Sequence, residues 1–259
     1  MKGIILDSVV PVRREASEAS EMLTQLLFAE TVDVLEEQPR WIRVRNDADG
    51  QTGWIDFKML RKLTDAEALQ VAQSDRSSRV KLPIAYVMDN TAGQPLPLTA
   101  GTALPDYSGG EFRLLGNTYT IDPNAVAAWP QEMNFDNLMK NVLFFLNIPY
   151  LWGGKNALGM DCSGFTQILF SLFGRPLLRN ASEQATQGKE VRSLADAQAG
   201  DLLFFDHEDG KISHVGIFLE EGHLIHCSGR VKTDKLDEKG IFSEEQGCYT
   251  HHLVQIRRY

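Results

Sequence analysis

The sequence is poor in cysteine, has no long apolar run and carries no excess of positive charge. Its 259 residues include three cysteines, and an odd count this small is not a disulfide framework. Nowhere do about 18 apolar residues run together, so no transmembrane helix is predicted. The net charge of −9 argues against nucleic acid or an anionic membrane surface as the main partner.

The composition is that of a folded protein with a real core. Hydrophobic residues make up 43% and charged residues 24% of the chain, which is ordinary for soluble globular domains. The apolar run at residues 4–6 is too short for the core of a signal peptide. We therefore expect a cytoplasmic protein, and the odd cysteine count fits a reducing compartment with one functional thiol.

One stretch, from Tyr150 to Gly174, carries the strongest local pattern. Apolar residues at 165, 168, 169 and 172 have the spacing of one buried helix face, which Gly174 and Pro176 terminate. With Asp161 as N-cap, Cys162 falls in the first turn, where free N–H groups and the helix dipole favour a thiolate. That is a nucleophile's position, although a lone helical cysteine is more often a small buried hydrophobe.

The N-terminal half is rich in short β-type segments. Strands are predicted over 31–35, 41–45 and 53–55, with a turn at 46–50. This spacing indicates a small all-β barrel over residues 1–63 that resembles a bacterial SH3 domain. Residues 64–79 are predicted as a polar linker with one helical turn, and 80–129 as a second, reduced SH3-like barrel. We expect Trp41 and Trp54 to pack in the barrel core rather than contact a ligand.

Residues 130–259 have a different pattern. An amphipathic helix is predicted over 135–146, and the helix of Cys162 follows it. Strands are then predicted over 201–205, 214–219, 223–226 and 252–256. Helices followed by consecutive short strands indicate an α+β domain with an antiparallel sheet.

Two of the six histidines stand where a base is useful to Cys162. His214 opens a strand after a predicted turn at 209–213, and His226 ends the next strand. If these strands form a hairpin across 220–222, His214 lies opposite position 228, one diagonal step from His226. Thiol activation needs one imidazole to take the proton and a partner to orient it. We therefore predict Cys162 as nucleophile, His214 as base and His226 as orienting residue.

A metal site is the alternative use of these side chains. The potential ligands are His223, His226, Cys227 and Cys248, but successive side chains of a strand face opposite sides and no CxxC or HxxxH spacing is present. No metal and no other cofactor is therefore predicted. Cys227 is expected to be a buried neutral thiol pointing away from His226, and the histidines at 251 and 252 a surface pair.

Five motifs together resemble the NlpC/P60 cysteine peptidases. They cover about residues 130–259 in family order: Tyr150-x-Trp-Gly-Gly, Asp161-Cys-Ser-Gly-Phe, Ala199-Gly-Asp-Leu-Leu-Phe-Phe, Ser213-His-Val-Gly-Ile and His226-Cys-Ser-Gly. The resemblance implies a papain-like domain that cuts bacterial cell-wall peptides. With SH3-like domains in front, the chain is similar to the γ-D-glutamyl-L-diamino acid endopeptidases, or dipeptidyl-peptidase VI. Their substrate is a murein stem peptide with a free N-terminal L-Ala, cut after γ-D-Glu.

The resemblance also implies roles for individual residues. Tyr150 is implied near the oxyanion and Trp152 as a wall of the substrate site. Asp161 and Ser163 are implied as contacts to the dipeptide part of the substrate. From the residues alone, Asp161 can hold a ligand ammonium or serve only as an N-cap. The family triad is matched by the three residues predicted above, Cys162, His214 and His226.

Two positions depart from the subfamily pattern. There, an acidic residue follows the arginine after the nucleophile helix and helps to bind the free amine. Here Arg179 is followed by Asn180, which can accept a hydrogen bond but adds no charge. The first SH3-like domain normally adds a tyrosine and a glutamate, whereas here Gln51 stands in the tyrosine's place and Glu21 keeps the acid. The free-amine requirement is therefore expected to be weaker or served differently.

Three functions remain open at this point. The first is a cysteine endopeptidase that hydrolyses the γ-D-Glu–diamino acid bond in murein peptide recycling, with the barrel at 1–63 forming one wall of the cleft. The second is another acyl-transfer enzyme on the same scaffold, an amidase or acyltransferase. The third is a non-catalytic wall-binding module, which would not need all three triad residues. The expected partner is a murein stem peptide, and the oligomeric state is left open.

Overall fold

The computed structural model describes residues 1–207 and 210–259. Within them, the N-terminal half consists mainly of short antiparallel strands, and the C-terminal half places helices before a second large sheet. The turn predicted at 209–213 includes Asp209, which lies outside the described residues. No helix within the described ranges is long and apolar enough to cross a membrane.

The first sheet confirms the strands predicted in the N-terminal region. Alternation of apolar and polar residues turns one side of each strand inward, as in the fifth strand, where Ile42 and Val44 are buried between exposed arginines. The spatial order of the strands is β3-β2-β6-β5-β4-β1-β7. Their bounds are β1 Lys2–Ile4, β2 Val9–Arg13, β3 Met22–Leu27, β4 Thr31–Glu37, β5 Trp41–Asn46, β6 Thr52–Asp56 and β7 Arg61–Lys62.

The barrel tryptophans do not occupy the core, so that prediction was wrong. Ile42 and Ile55 take the inward-facing positions of β5 and β6. Their chain neighbours Trp41 and Trp54 are only half-buried, because adjacent residues of a strand face opposite sides.

A helix, α1 Asp65–Gln73, stands where a polar linker was predicted. Thr64 begins it with a capping box, in which its hydroxyl accepts from the Glu67 N–H and the Glu67 carboxylate accepts from the Thr64 N–H. Val71 is the buried residue of this helix. The helix was not predicted because the segment is polar, although the Thr-x-x-Glu spacing is a capping-box motif that marks a helix N-terminus.

The middle region shares a hydrophobic core with the first barrel. Phe28 of the barrel meets Phe112 and Tyr119 edge-on, with ring centroids 6.0 and 5.5 Å apart. Four strands form one sheet in the order β10-β9-β12-β11, and β8 pairs with β13. That this region is a second SH3-like barrel stays a prediction. The strands are β8 Ser78–Val80, β9 Ile84–Asp89, β10 Gln94–Thr99, β11 Glu111–Leu114, β12 Asn117–Ile121 and β13 Val126–Ala128.

The C-terminal region confirms both predicted helices and the antiparallel sheet. The sheet has the order β16-β22-β17-β18-β19-β20-β21, and helix α3 lies against its β18 and β19 strands. Strands β14, β15, β16, β20 and β21 were not predicted. The elements are α2 Phe135–Phe145, β14 Lys155–Asn156, β15 Gly159–Met160, α3 Cys162–Leu172, α4 Ala181–Gln184, β16 Lys189–Val191, β17 Leu202–Asp206, β18 His214–Phe218, β19 His223–Ser228, β20 Arg230–Asp237, β21 Gly240–Ser243 and β22 Cys248–Arg258.

The barrel docks on the glycine loop that precedes the nucleophile helix. At Gly153, with φ +74°, a Cβ would lie 2.3 Å from the carbonyl oxygen of Met22, so only glycine permits this approach. Gln25 accepts from the Lys155 N–H at 2.7 Å, and the Arg179 Nε donates to the Thr24 hydroxyl at 2.8 Å. The N-terminal barrel is thus held against the loop and the helix that position Cys162.

Candidate active site

Cys162 is the first residue of α3, as its sequence pattern predicted. Asp161 is the N-cap, and its Oδ1 accepts from the Gly164 N–H at 2.7 Å. At Gly164, a Cβ would lie 2.1 Å from the carbonyl oxygen of Gly154, so the glycine loop lies directly over the helix start. The backbone N–H groups of Ser163 and Val215 donate to the Cys162 sulfur. The thiol therefore lies between the N-terminus of α3 and strand β18.

The protonation of Cys162 differs from the sequence-based expectation. Burial raises the pKa of this thiol to about 12, and the nearby Asp161 carboxylate adds to the effect. The two N–H donors and the Arg179 guanidinium oppose the rise without cancelling it. In the free enzyme the sulfur is therefore a neutral thiol, because burial outweighs the helix terminus. For this sulfur to act as a nucleophile, a base must first take its proton.

The predicted hairpin register brings the two histidines together. Gly216 pairs with His226, which is the register that places His214 opposite Ser228. The His214 Nε2 lies 2.7 Å from the His226 Nδ1, and both rings are buried. This leaves the Nδ1 of His214 as the ring nitrogen available to a thiol.

A carboxylate that the sequence analysis missed completes the chain of contacts. The Oδ2 of Asp234, on β20, lies 3.0 Å from the His226 Nε2. A carboxylate only accepts, so His226 donates from Nε2 and its Nδ1 must accept from the His214 Nε2–H. The Nδ1 of His214 then carries a lone pair, which is the tautomer that a general base requires.

The ionisation of these groups agrees with that tautomer order. Burial lowers the pKa of His214 well below its usual range, and His226 and His251 lower it further. Burial also lowers the pKa of His226, with Asp234 acting in the opposite direction. Hydrogen bonds from His226 and Lys232 hold the pKa of Asp234 below its usual value despite burial. Neutral imidazoles therefore stand beside a charged carboxylate.

His251 belongs to this cluster and is not half of a surface pair. Its ring stacks on His214 with centroids 4.3 Å apart, and the centroid of the His207 ring lies 4.7 Å from that of His251. Burial lowers the pKa of His251 to about 4, so its ring is neutral near pH 7. The bend of β22 along β17, where the register shifts between Phe204 and Phe205, is a feature that sequence periodicity did not predict.

A cleft of about 870 Å³ opens over the Cys162 and His214 side chains. The barrel contributes residues from β3 and from the β5–β6 hairpin, so it forms one wall as predicted, and Trp54 faces this space. His226 lies behind His214 and is not part of the lining. The remaining sequence-predicted site residues all line the cleft: Glu21, Gln51, Tyr150, Trp152, Asp161, Ser163 and Asn180.

The predicted amine-binding acid stands at the barrel edge of the cleft. Glu21 accepts from the indole N–H of Trp152 at 2.8 Å, and its second oxygen lies 2.6 Å from the Arg14 guanidinium. Arg43 also lines the cleft and was not predicted. Charge of both signs therefore faces the cleft on this side, whereas only the acid was predicted from the sequence.

The side chain of Asp161 is fully engaged within the protein. Its oxygens accept from the Arg179 guanidinium at 2.6 and 3.0 Å, from the Gly153 and Gly164 N–H groups and from the Ser163 hydroxyl. These donors occupy the acceptor positions of a carboxylate, which favours capping over binding of a ligand ammonium. Burial raises the pKa of Tyr150, so its phenol stays a hydrogen-bond donor at neutral pH.

The comparisons with known proteins agree with this geometry. The NlpC/P60 family matches residues 147–252, and the bacterial dipeptidyl-peptidase Sh3 domain matches residues 12–60. The gamma-D-glutamyl-L-lysine dipeptidyl-peptidase of Bacillus subtilis is 32% identical over 91% of this chain and 80% of its own length. The chain belongs to the NlpC/P60 family. It is thus a member of a peptidase family, and it also carries a bacterial SH3 domain.

Further relatives match nearly the whole chain. The dipeptidyl-peptidase 6 of Lysinibacillus sphaericus is 25% identical, with 92% of this chain and 93% of that protein covered. The crystal structure of an NlpC/P60 family protein from Bacillus cereus superposes with a TM-score of 0.85, at 22% identity, over 100% of this chain and 99% of that one. The arrangement of barrel, middle region and catalytic region is therefore shared with this solved structure.

Proposed function

We propose that the chain is a cysteine endopeptidase that hydrolyses the γ-D-Glu–diamino acid bond of murein stem peptides with a free N-terminal L-Ala. The observation that carries the proposal is the buried series Cys162, His214, His226 and Asp234, which opens onto a cleft walled by the barrel. The three described cysteines are free thiols, which supports cytoplasmic peptide recycling as the setting. The names of the relatives support the substrate class.

The first half of the reaction forms an acyl-enzyme. As the Cys162 sulfur bonds to the γ-carbonyl carbon, its proton moves to the His214 Nδ1. The carbonyl π electrons move to oxygen, which gives a tetrahedral oxyanion near the Tyr150 phenol. The oxyanion then collapses, the C–N bond breaks, and His214 delivers the same proton to the leaving amine.

The second half returns the enzyme to its starting state. His214 removes a proton from water as the water oxygen attacks the thioester carbon. The C–S bond breaks, the sulfur regains its proton, and L-Ala-γ-D-Glu leaves as the acid. Asp234 acts through His226 in both halves, since it keeps the lone pair of His214 directed at the reacting atoms.

Substrate selection is proposed to come from the barrel side of the cleft. Glu21 offers a carboxylate to the free amine, with Trp152 as the wall beside it. Gln51 and Asn180 supply uncharged polar contacts, and Ser163 faces the dipeptide portion. The barrel thereby limits the cleft to short peptides.

The proposed division of the chain follows this assignment. Residues 1–63 form the bacterial SH3-like domain, 80–129 a second, reduced SH3-like domain, and 130–259 a papain-like α+β catalytic domain. Helix α3 packed on an antiparallel sheet supports the papain-like description.

The test is mass spectrometry of L-Ala-γ-D-Glu-diaminopimelate after incubation with the enzyme, beside the same peptide N-acetylated. We expect L-Ala-γ-D-Glu and diaminopimelate from the free-amine peptide and little from the acetylated one. Equal cleavage of both would mean that Glu21 does not select the amine. Cleavage of neither would overturn the proposed activity.

A further inference from the structure

A second cavity lies where the barrel, the middle region and helix α3 meet. We name it the interdomain cavity, and its volume is about 520 Å³, which is the size of a small-molecule site. Leu27, Ile168 and Leu177 give it apolar walls, and its polar groups come from all three regions. The residues that carry the inference are Asn46, Arg76, Arg79, Thr102, Gln167 and Arg175.

Several described residues that line the interdomain cavity have a buried polar atom that makes no hydrogen bond. Within the described residues, four residues that line the cavity each have a buried side-chain atom with no hydrogen-bond partner: Asn46 Nδ2, Arg79 Nη1, Thr102 Oγ1 and Gln167 Oε1. Asn46 is 2% and Thr102 1% exposed. Buried polar groups are normally hydrogen-bonded, so these atoms are available to a polar partner.

The charges around the cavity are unevenly paired. Its acidic residues are engaged: Glu30 with Lys155, Asp47 with Lys2 and Asp49 with the Gln167 amide. Its three arginines have no carboxylate within ion-pair distance among the described residues. The cavity lining holds four basic side chains, Arg76, Arg79, Lys155 and Arg175, against these three acidic ones, so its net charge is positive.

Arg79 is held ready for an oxyanion. Its guanidinium carbon lies over the Trp129 ring, 4.5 Å from the centroid, and its Nη1 has no hydrogen-bond partner among the described residues. Burial and the neighbouring Arg76 lower the pKa of Arg79 to about 10, yet it stays protonated at pH 7. Arg76 itself donates to the Ala29 carbonyl at 3.1 Å. A planar guanidinium edge matches carboxylate or phosphate oxygens.

We infer that the interdomain cavity binds a small molecule made of an oxyanion, a carboxylate or a phosphate, attached to an apolar body. Arg79 and Arg76 bind the oxyanion, and Asn46 and Thr102 donate to it. The apolar body packs between Leu27, Ile168 and Leu177. This site is separate from the cleft. Cys162, which lines the cleft, is the first residue of α3, whereas Gln167 and Ile168, which line the interdomain cavity, lie further along the same helix.

Isothermal titration calorimetry on the full chain tests the inference with three probes: hexanoate, monohexyl phosphate and hexylammonium. We expect at least one anion to bind with one-to-one stoichiometry and a Kd of about 1 mM or tighter, and hexylammonium not to bind. Arg79→Gln should weaken binding about tenfold or more. The matched control is Arg113→Gln, an exposed arginine of β11 in the same region, which should bind like the parent.

A second variant keeps the test decisive if Arg79→Gln does not fold. Ala48 is exposed and lies at the cavity lining, so Ala48→Trp should fold and block entry, and should also weaken binding about tenfold or more. Alkylation of Cys162 should leave the affinity unchanged. The inference is overturned if neither anion saturates below about 50 mM, if Ala48→Trp binds like the parent, or if alkylation abolishes binding.

Discussion

The two walls of the cleft hold their functional side chains in different ways. On the catalytic wall, Cys162, His214, His226 and Asp234 are each at most 8% exposed. On the barrel side, Trp152 is 62% exposed, and its partner Glu21 sits on an exposed hairpin. Bond-making groups need one fixed geometry and protonation state, which burial supplies. Groups that select a substrate must exchange water for ligand, so they remain accessible.

Replacing the nucleophile tests the catalytic wall most strongly. Cys162→Ala should lower kcat by about 10⁴-fold or more, because no thiol remains to form the acyl-enzyme. Turnover of the free-amine peptide by mass spectrometry is the measurement. Cys248→Ala, at an exposed free thiol, is the matched control and should retain activity. Comparable turnover by Cys162→Ala and the parent would refute the mechanism.

The pH dependence of alkylation tests the protonation of the catalytic wall. Burial raises the pKa of Cys162 to about 12, so its thiolate fraction should grow about tenfold per pH unit between pH 6 and about 9. The rate of iodoacetamide modification at Cys162, followed by peptide mass spectrometry, should rise accordingly. The exposed Cys248 gives an internal reference. A rate that is already constant at pH 6 to 7 would instead indicate a preformed thiolate–imidazolium pair.

Arg179 joins the two walls, so its loss should be the largest stability defect of those considered. It contacts Asp161 on the catalytic side and Thr24 on the barrel side. Arg179→Met leaves the buried Asp161 carboxylate without its ion-pair partner, and we therefore expect the free energy of unfolding to fall by about 3–5 kcal/mol. Urea denaturation measures it. Arg113→Met, at an exposed site, should change it by less than about 0.5 kcal/mol.

Asp234 should matter for rate and not for substrate binding. In Asp234→Asn the amide can donate to the His226 Nε2, which reverses both tautomers and removes the lone pair from the His214 Nδ1. We expect kcat to fall about 100-fold with little change in KM. Asp237→Asn, three residues along the same strand and exposed, should leave kcat unchanged. An equal loss in both variants would reduce Asp234 to a structural role.

The smallest effect is expected on the barrel wall. Glu21→Gln should raise KM for the free-amine peptide about tenfold and leave kcat nearly intact, because binding is lost equally in ground and transition states. Glu18→Gln is the control, since Glu18 is exposed on the same loop and pairs with Arg13. A matching drop in kcat would show that the barrel also takes part in the chemical step.

Short-range sequence patterns correctly predicted the parts of the site that lie within one helix or one hairpin. The position of Cys162 on α3 follows from apolar spacing and a cap, and the contact between His214 and His226 follows from the length of one hairpin. Asp234 required β20, whose polar alternation did not stand out as a strand. A hairpin at the Ser228-Gly dipeptide would have placed Asp234 one diagonal step from His226.

Other features could not be read from local sequence because distant segments determine them. The thiol pKa depends on burial by β18, which outweighs the helix terminus. The position of His251 depends on how β22 bends along β17. Trp54 faces the cleft because its neighbour Ile55 points into the barrel interior. The alternation of residues along a strand does not by itself say which of the two alternating sets points inward.

The close approach at Gly153 has a consequence for biosynthesis. The barrel that touches this glycine lies N-terminal to Cys162 and the histidines, so it is synthesised before them. Because domains fold in order as they leave the ribosome, the barrel is expected to be complete before the nucleophile emerges. We therefore expect the cleft to form on a barrel wall that is already in place.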